Sequence, residues 1–172
     1  KAFSISDNLS NQSSVVNLNE KGDSDDDSRV GDLASEQATL NIYSDPGLTV
    51  DGQLRIGRYG EGIVNVYGEA GSIGTVGIGW KNGSKGILNV QGGTFFAGDT
   101  IWVGRAGNGI VNIESGQLTI GGGSFNNFIL GHKPTGSGTV NQNGGVVTVE
   151  GSFLPGWEGS DCQYNLHGGL VQ

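Results

Sequence analysis

Methionine is absent from the chain, cysteine occurs once and proline three times in 172 residues. With Cys162 alone no intrachain disulfide can form, and the count leaves the redox compartment open. The chain starts Lys1-Ala2-Phe3, and with no methionine anywhere it reads as a processed or excised segment of something longer. Scarce proline beside 34 glycines excludes collagen, which needs a three-residue glycine period rich in proline. No run of about 18 apolar residues occurs, so no membrane-inserting helix is expected. Cations are few as well: nine Lys and Arg against 17 Asp and Glu give a net charge of −8. Such a chain repels nucleic acid, anionic membranes and polyanionic glycans at long range, so nucleic acid is not an expected partner. Any polyanion site must be a local exception.

What is present is a repeat. The tripeptide apolar-Asn-apolar or a close variant recurs around Asn17, Asn41, Asn65, Asn89, Asn112, Asn141 and Asn165, at intervals of 24, 24, 24, 23, 29 and 24 residues. Before each of the last six asparagines stands a residue-glycine corner: Val30-Gly31, Ile56-Gly57, Ile78-Gly79, Val103-Gly104, Leu130-Gly131 and Pro155-Gly156. After several of them comes a third β-favouring stretch, as in Leu48-Thr49-Val50, Phe95-Phe96, Leu118-Thr119-Ile120 and Val146-Val147-Thr148-Val149.

Runs this short, punctuated by glycine, cannot become helices and cannot stand alone as strands. Stacked one repeat upon the next at about 4.8 Å, they form parallel sheets in which like residues lie above one another. The predicted fold is all-β: a parallel β-solenoid of about seven coils of ~24 residues, with three short strands per coil. One domain covers 1–172, with a less regular first coil in 1–29 and regular coils over 30–172. Both ends look cut, so a cap, a flanking domain or self-association through the open ends is expected. The residues flanking each asparagine are mostly apolar, so the amides should face the opposite way, outward or into a corner, and hydrogen-bond along the axis as a structural ladder. Gln142 stands where an aliphatic residue is expected and marks the weakest coil.

The unit Ile56-Gly57-Arg58-Tyr59-Gly60-Glu61-Gly62-Ile63-Val64-Asn65-Val66, repeated as Val103-Gly104-Arg105-Ala106-Gly107-Asn108-Gly109-Ile110-Val111-Asn112-Ile113, resembles the glycine-rich β-strand repeats of autotransporter-type passenger domains and related secreted bacterial surface proteins. The resemblance covers about 30–172. It implies a right-handed β-helix, secreted or at the cell surface, often adhesive or polysaccharide-associated. It brings no shared catalytic residues, and the chain carries no outer-membrane barrel.

The most variable columns follow the corner glycine. The first reads Asp32, Arg58, Trp80, Arg105, His132, Trp157, and the second reads Leu33, Tyr59, Lys81, Ala106, Lys133, Glu158. Four of the nine cations fall here, with Arg55 and Lys85 near by, making a locally basic edge. Indole faces stack on sugar rings and guanidinium pairs bidentately with carboxylate or sulfate, so Arg58, Tyr59, Trp80, Lys81, Arg105, His132, Lys133 and Trp157 form the candidate polysaccharide-binding set. The plainer account is that Trp80 and Trp157 pack over neighbouring corners while Arg58 and Arg105 stack on them.

The rival classes are a self-assembling structural filament subunit and a polysaccharide-degrading enzyme of β-helix type, a lyase or hydrolase; in a lyase Arg105, His132 and Lys133, or Arg58 and Tyr59, would serve as carboxylate neutraliser and base. The 29-residue interval, through Gly121-Gly122-Gly123 and Lys133-Pro134-Thr135, is the one insertion long enough to shape a cleft. No cofactor is implied otherwise, except that Asp23, Asp25, Asp26 and Asp27 could hold calcium or form a merely solvated turn. Cys162 reads as a buried thiol and His167 as a ladder position. The sequons at Asn8, Asn11 and Asn82 read as chance in so Ser- and Asn-rich a chain. The expected function is a noncatalytic extracellular structural or adhesive module.

Overall fold

Each short β segment hydrogen bonds to the segment one repeat earlier and one repeat later, which fixes the architecture. The computed structural model describes residues 4–5, 13–18, 22–24, 27–45, 47–72 and 74–172. Over these the chain is an all-β parallel solenoid of about six turns of roughly 24 residues. Seven asparagine-bearing strands are present, and six turns join them. Among the described residues there is no α-helix, only a 3-10 turn at Trp157–Gly159, and no helix long and apolar enough to cross a membrane.

One sheet stacks the strands that precede the corner glycines, Ser4–Ile5, Ser28–Val30, Leu54–Ile56, Val76–Ile78, Ile101–Val103, Phe128–Leu130 and Phe153–Pro155, in chain order. A second stacks the asparagine strands, including Gln37–Ile42, Glu61–Val66, Ser137–Gln142 and Asp161–Leu166. A third set, with Leu48–Val50, Glu69–Ser72 and Val146–Val149, completes each coil. The expected three strands per coil are altered in two coils. There the second and third strands run on as single 13-residue strands, Lys85–Ala97 and Asn108–Ile120. A register shift around Gln91 bends them round the corner.

All pairings are parallel, with Asn89 aligned between Asn65 and Asn112. Alternation then sorts the side chains. Val64, Val66, Leu88, Val90, Val111 and Ile113 point inward and are fully buried, in one cluster with Ile56, Ile78, Val103 and their neighbours. Burying a side chain of this size stabilises by about 1.5–3 kcal/mol, and repetition multiplies the gain along the axis. The amides face the other way and form the expected ladder: each Nδ2 donates to the Oδ1 one coil below, from Asn41→Asn17 through Asn165→Asn141, at 2.7–2.8 Å.

The corner glycines Gly31, Gly57, Gly79, Gly104, Gly131 and Gly156 all have φ between 65° and 74°. At Gly104 a second demand is added: a Cβ would stand 1.9 Å from the carbonyl oxygen of Ser137 in the next coil. Left-handed backbone and close coil approach therefore coincide there.

Gln142 is fully buried, and the coil accommodates it. Its amide donates to the carbonyls of Gly145 and Leu170 at 3.3 and 3.1 Å, and its oxygen accepts the Tyr164 hydroxyl. Burial pushes the Tyr164 hydroxyl up to about 12, so it stays a donor. A polar bracket replaces aliphatic packing in this coil. The inward side chains of the last coil, Phe153, Leu166 and Val171, are 45, 55 and 44% exposed. Cys162 shares that inward column and is exposed, contrary to the expected buried thiol, because in the structure no coil stacks over it.

Gly104→Ala is expected to cost more than about 3 kcal/mol, combining αL strain with the carbonyl clash. Gly83→Ala, at φ 80° with open space around the new methyl, should cost about 1–2 kcal/mol. Urea unfolding followed by circular dichroism compares them, and equal losses would mean that backbone conformation alone requires glycine. Asn89→Ala breaks two ladder bonds and should cost about 1–2 kcal/mol, against under about 0.5 kcal/mol for Asn17→Ala at the exposed end.

Candidate ligand-binding ridge

Because the corner glycine turns the chain sharply, the residues after it lie back over the outer surface of the first sheet. That surface is the outward column Arg29, Arg55, Gly77, Trp102, Ile129 and Leu154, aligned by strand register. Gly77 is the position that makes room: a Cβ there would stand 2.2 Å from Cε3 of Trp80. The indole of Trp80 lies on the strand, with the guanidinium of Arg55 from the coil below at 5.2 Å and that of Arg105 from the coil above at 4.5 Å. Further along, His132 sits 4.4 Å from the Trp102 ring and 5.8 Å, edge to face, from Trp157. Ile129 points outward and is outside the interior cluster, yet is 1% exposed. The ridge residues thus build a thin outer core along the axis.

The expected set is brought onto one edge, but its members differ in freedom. Arg58 pairs with Asp32 at 3.0 Å and lies over Tyr59 at 4.8 Å. Lys133 pairs with Glu158 at 2.9 Å. Lys81 has its ammonium 6.0 Å from the Tyr59 ring. Among the described residues neither Lys81 nor Arg105 has a carboxylate partner. Tyr59 and Trp157 are 43 and 44% exposed, whereas Trp80 is held between guanidiniums, so the plainer packing account holds for Trp80 with Arg105. Beside Tyr59 a shallow groove of about 320 Å³ runs between Gln37, Glu61, Gly83 and Lys85.

His132 is mostly buried, and that burial, followed by the charges of Lys133 and Arg105, pushes its pKa below 6.5, with Glu158 opposing. Its Nε2 lies 3.5 Å from Glu158, and its Nδ1 is buried without a partner. Lys133 holds the Glu158 carboxyl below its ordinary range. A lyase base must present a free nitrogen or oxygen to a substrate proton beside a free cation. Here one imidazole nitrogen is engaged and the other sealed, and Arg58 covers the face of Tyr59 while committed to Asp32.

The long interval adds its residues at two corners, before and after Phe128–Leu130. Residues 121–127 form its larger extension, at the corner before Phe128–Leu130, and they are pinned down by bonds from Phe125 N and Asn126 N to Asp99 and from Gly122 N to Glu150. Of the acidic set, Asp25 and Asp26 lie outside the described residues, and Asp23 falls in the strand Gly22–Ser24. The Asp27 carboxylate is spent on Arg55 at 3.1 Å and on the Gln53 amide at 2.9 Å. Among the described residues no cluster of three metal-ligating side chains occurs.

Sequence reasoning missed Trp102, Arg29 and the role of Gly77. The signal for Trp102 was available in the alternation Ile101-Trp102-Val103, which turns the middle residue outward. The chain matches no protein-family model, no curated protein and no solved structure.

A folded-state pKa below the ordinary histidine value means that the unfolded chain binds more protons as pH falls through about 6.5. Stability should therefore drop from that point down to the lowered folded value and level off beneath it. Urea midpoints measured at successive pH values on the protein and on His132→Asn check this: the variant should lose that part of the drop.

Proposed function

We propose that this chain is a noncatalytic structural and adhesive module, secreted or displayed at a cell surface, that binds polysaccharide along the ridge. The observation that carries the reading is a pair of stacked runs of planar groups, Arg55–Trp80–Arg105 and Trp102–His132–Trp157, each stepping one coil at a time, with exposed rings at Tyr59 and Trp157. Those two rings are four coils apart, about 19 Å at the spacing of parallel strands. A surface of that length suits an extended polymer better than one sugar. Trp157 offers an exposed indole on which a sugar ring can stack, Tyr59 offers the ring surface that Arg58 leaves uncovered, and the groove beside Tyr59 adds amide and carboxylate acceptors for hydroxyl groups. The likeness of the repeats to autotransporter-type passenger domains supports the extracellular setting and a right-handed coil. The engaged imidazole of His132 favours binding over lyase chemistry.

Affinity electrophoresis against neutral and acidic polysaccharides tests the reading. Tyr59→Ala and Trp157→Ala should each weaken binding about tenfold, or roughly 1.4 kcal/mol, without changing the circular dichroism spectrum. Failure to bind any polysaccharide would remove the adhesive role. A rising ultraviolet absorbance from unsaturated products on uronate polymers would overturn the noncatalytic one.

A further inference from the structure

Three Asn-Gly pairs occur in the chain, Asn82-Gly83, Asn108-Gly109 and Asn143-Gly144. In such a pair the glycine nitrogen can attack the side-chain amide before it, because glycine has no Cβ to shield that nitrogen. The attack needs a glycine N–H that is not hydrogen-bonded and an asparagine side chain free to swing onto it. The fold denies both to two of the pairs. Asn108 and Gly109 lie inside the strand Asn108–Ile120, paired on one side with Lys85–Ala97 and on the other with Ser137–Gln142, and Gly109 is buried. The Asn143 amide is held by the Glu114 carboxylate at 2.9 and 3.0 Å, and Gly144 N donates to the Ile113 carbonyl at 3.3 Å.

Asn82 and Gly83 stand instead at the tip of the corner that follows Gly79, and both are exposed. The turn is closed beneath them by Ser84. Its N–H donates to the Lys81 carbonyl at 3.0 Å, and its buried hydroxyl donates to the same carbonyl at 2.7 Å while accepting from Lys81 N at 3.1 Å. These bonds stop short of the tip. Among the described residues neither the Asn82 side-chain amide nor the Gly83 N–H has a hydrogen-bond partner. Gly83 has φ 80°, and the space where a Cβ would stand is open.

We propose that Asn82-Gly83 is a self-modifying site, at which the folded protein deamidates in water without an enzyme. Gly83 N gives up its proton and bonds to Cγ of Asn82, the Cγ–Nδ2 bond breaks, and Nδ2 leaves as ammonia with that proton. Water then opens the succinimide ring. Addition at Cγ breaks the new N–Cγ bond and leaves an aspartate, whereas addition at the backbone carbonyl breaks the old peptide bond and leaves an isoaspartate. One water enters and one ammonia leaves, with no change of oxidation state. Either product carries one more negative charge, beside Lys81, whose ammonium has no carboxylate partner among the described residues. It also lies next to Gly83 at the groove shared with Tyr59 and Lys85. The ridge therefore loses positive charge as the molecule ages, whatever the ridge binds.

Peptide mapping by mass spectrometry follows the amide-to-acid conversion at each pair during incubation at mildly alkaline pH, in the folded protein and in urea. In the folded protein Asn82 should convert about tenfold faster than Asn108 and Asn143 or more, because held pairs react only through local opening. In urea the three pairs should convert at similar rates. Isoelectric focusing of the aged protein should show an acidic band at the position of freshly made Asn82→Asp. Gly83→Ala, whose methyl meets no neighbour, should slow the conversion of Asn82 several-fold with an unchanged circular dichroism spectrum. Conversion of Asn108 or Asn143 in the folded protein as fast as that of Asn82, or an Asn82 that converts only in urea, overturns the site. Should Gly83→Ala misfold, the folded-against-urea comparison on the unaltered protein decides by itself.

Discussion

At Gly57 the carbonyl oxygen of Lys85, one coil on, lies 2.0 Å from where a Cβ would stand, and the same approach recurs at Gly79 and Gly104. Everything else depends on this contact between successive corners. It sets how closely the coils stack, and only at that spacing do the backbone donors of one coil reach the acceptors of the next, as in Gly79 N to Ile56 O at 2.9 Å and Gly104 N to Ile78 O at 2.7 Å. A solenoid has no second layer to lean on, so its backbone polar groups are satisfied along the axis or by solvent. The side chains inherit the same pitch. Aliphatic residues meet their like inside, and amides meet their like outside.

The ridge is a consequence of that pitch. Planar groups placed at the same corner of successive coils are brought to contact distance, and a guanidinium above an indole above a guanidinium is a stable way to fill the space. The identity of each member then decides whether it is consumed by packing or left outward. Trp80 and His132 are consumed, whereas Tyr59 and Trp157 keep exposed ring surface. Charge follows the same division: Arg55 and Arg58 are answered by Asp27 and Asp32, and the centre of the ridge at Lys81 and Arg105 is not answered by a carboxylate among the described residues.

Much of this was legible in the sequence because a repeat states its own geometry. The interval between asparagines gave the coil, the Gly corners gave the turns, and alternation around Asn65 or Asn112 gave inside and outside. Gln142 was visible as an anomaly, but its remedy was not, since the Tyr164 hydroxyl and the Leu170 carbonyl both come from the next coil, and only the Gly145 carbonyl from the corner that follows the strand. The ridge was located from its uneven composition, yet Trp102 was passed over because it stands inside a strand and joins the corner residues only by lying beneath them.

The periodic part of this protein follows from its residues read in order: the parallel coil, the amide ladder, the aliphatic interior and the edge on which aromatic and basic residues gather. Each is a property of one residue column, and a column is written in the spacing. Which ridge side chains are spent on one another was settled only when the coils stacked. That outcome depends on side chains of neighbouring elements meeting in space, as Gly77 meets Trp80 and Trp80 meets Arg55 and Arg105. Contacts of that kind have no signature in any single repeat.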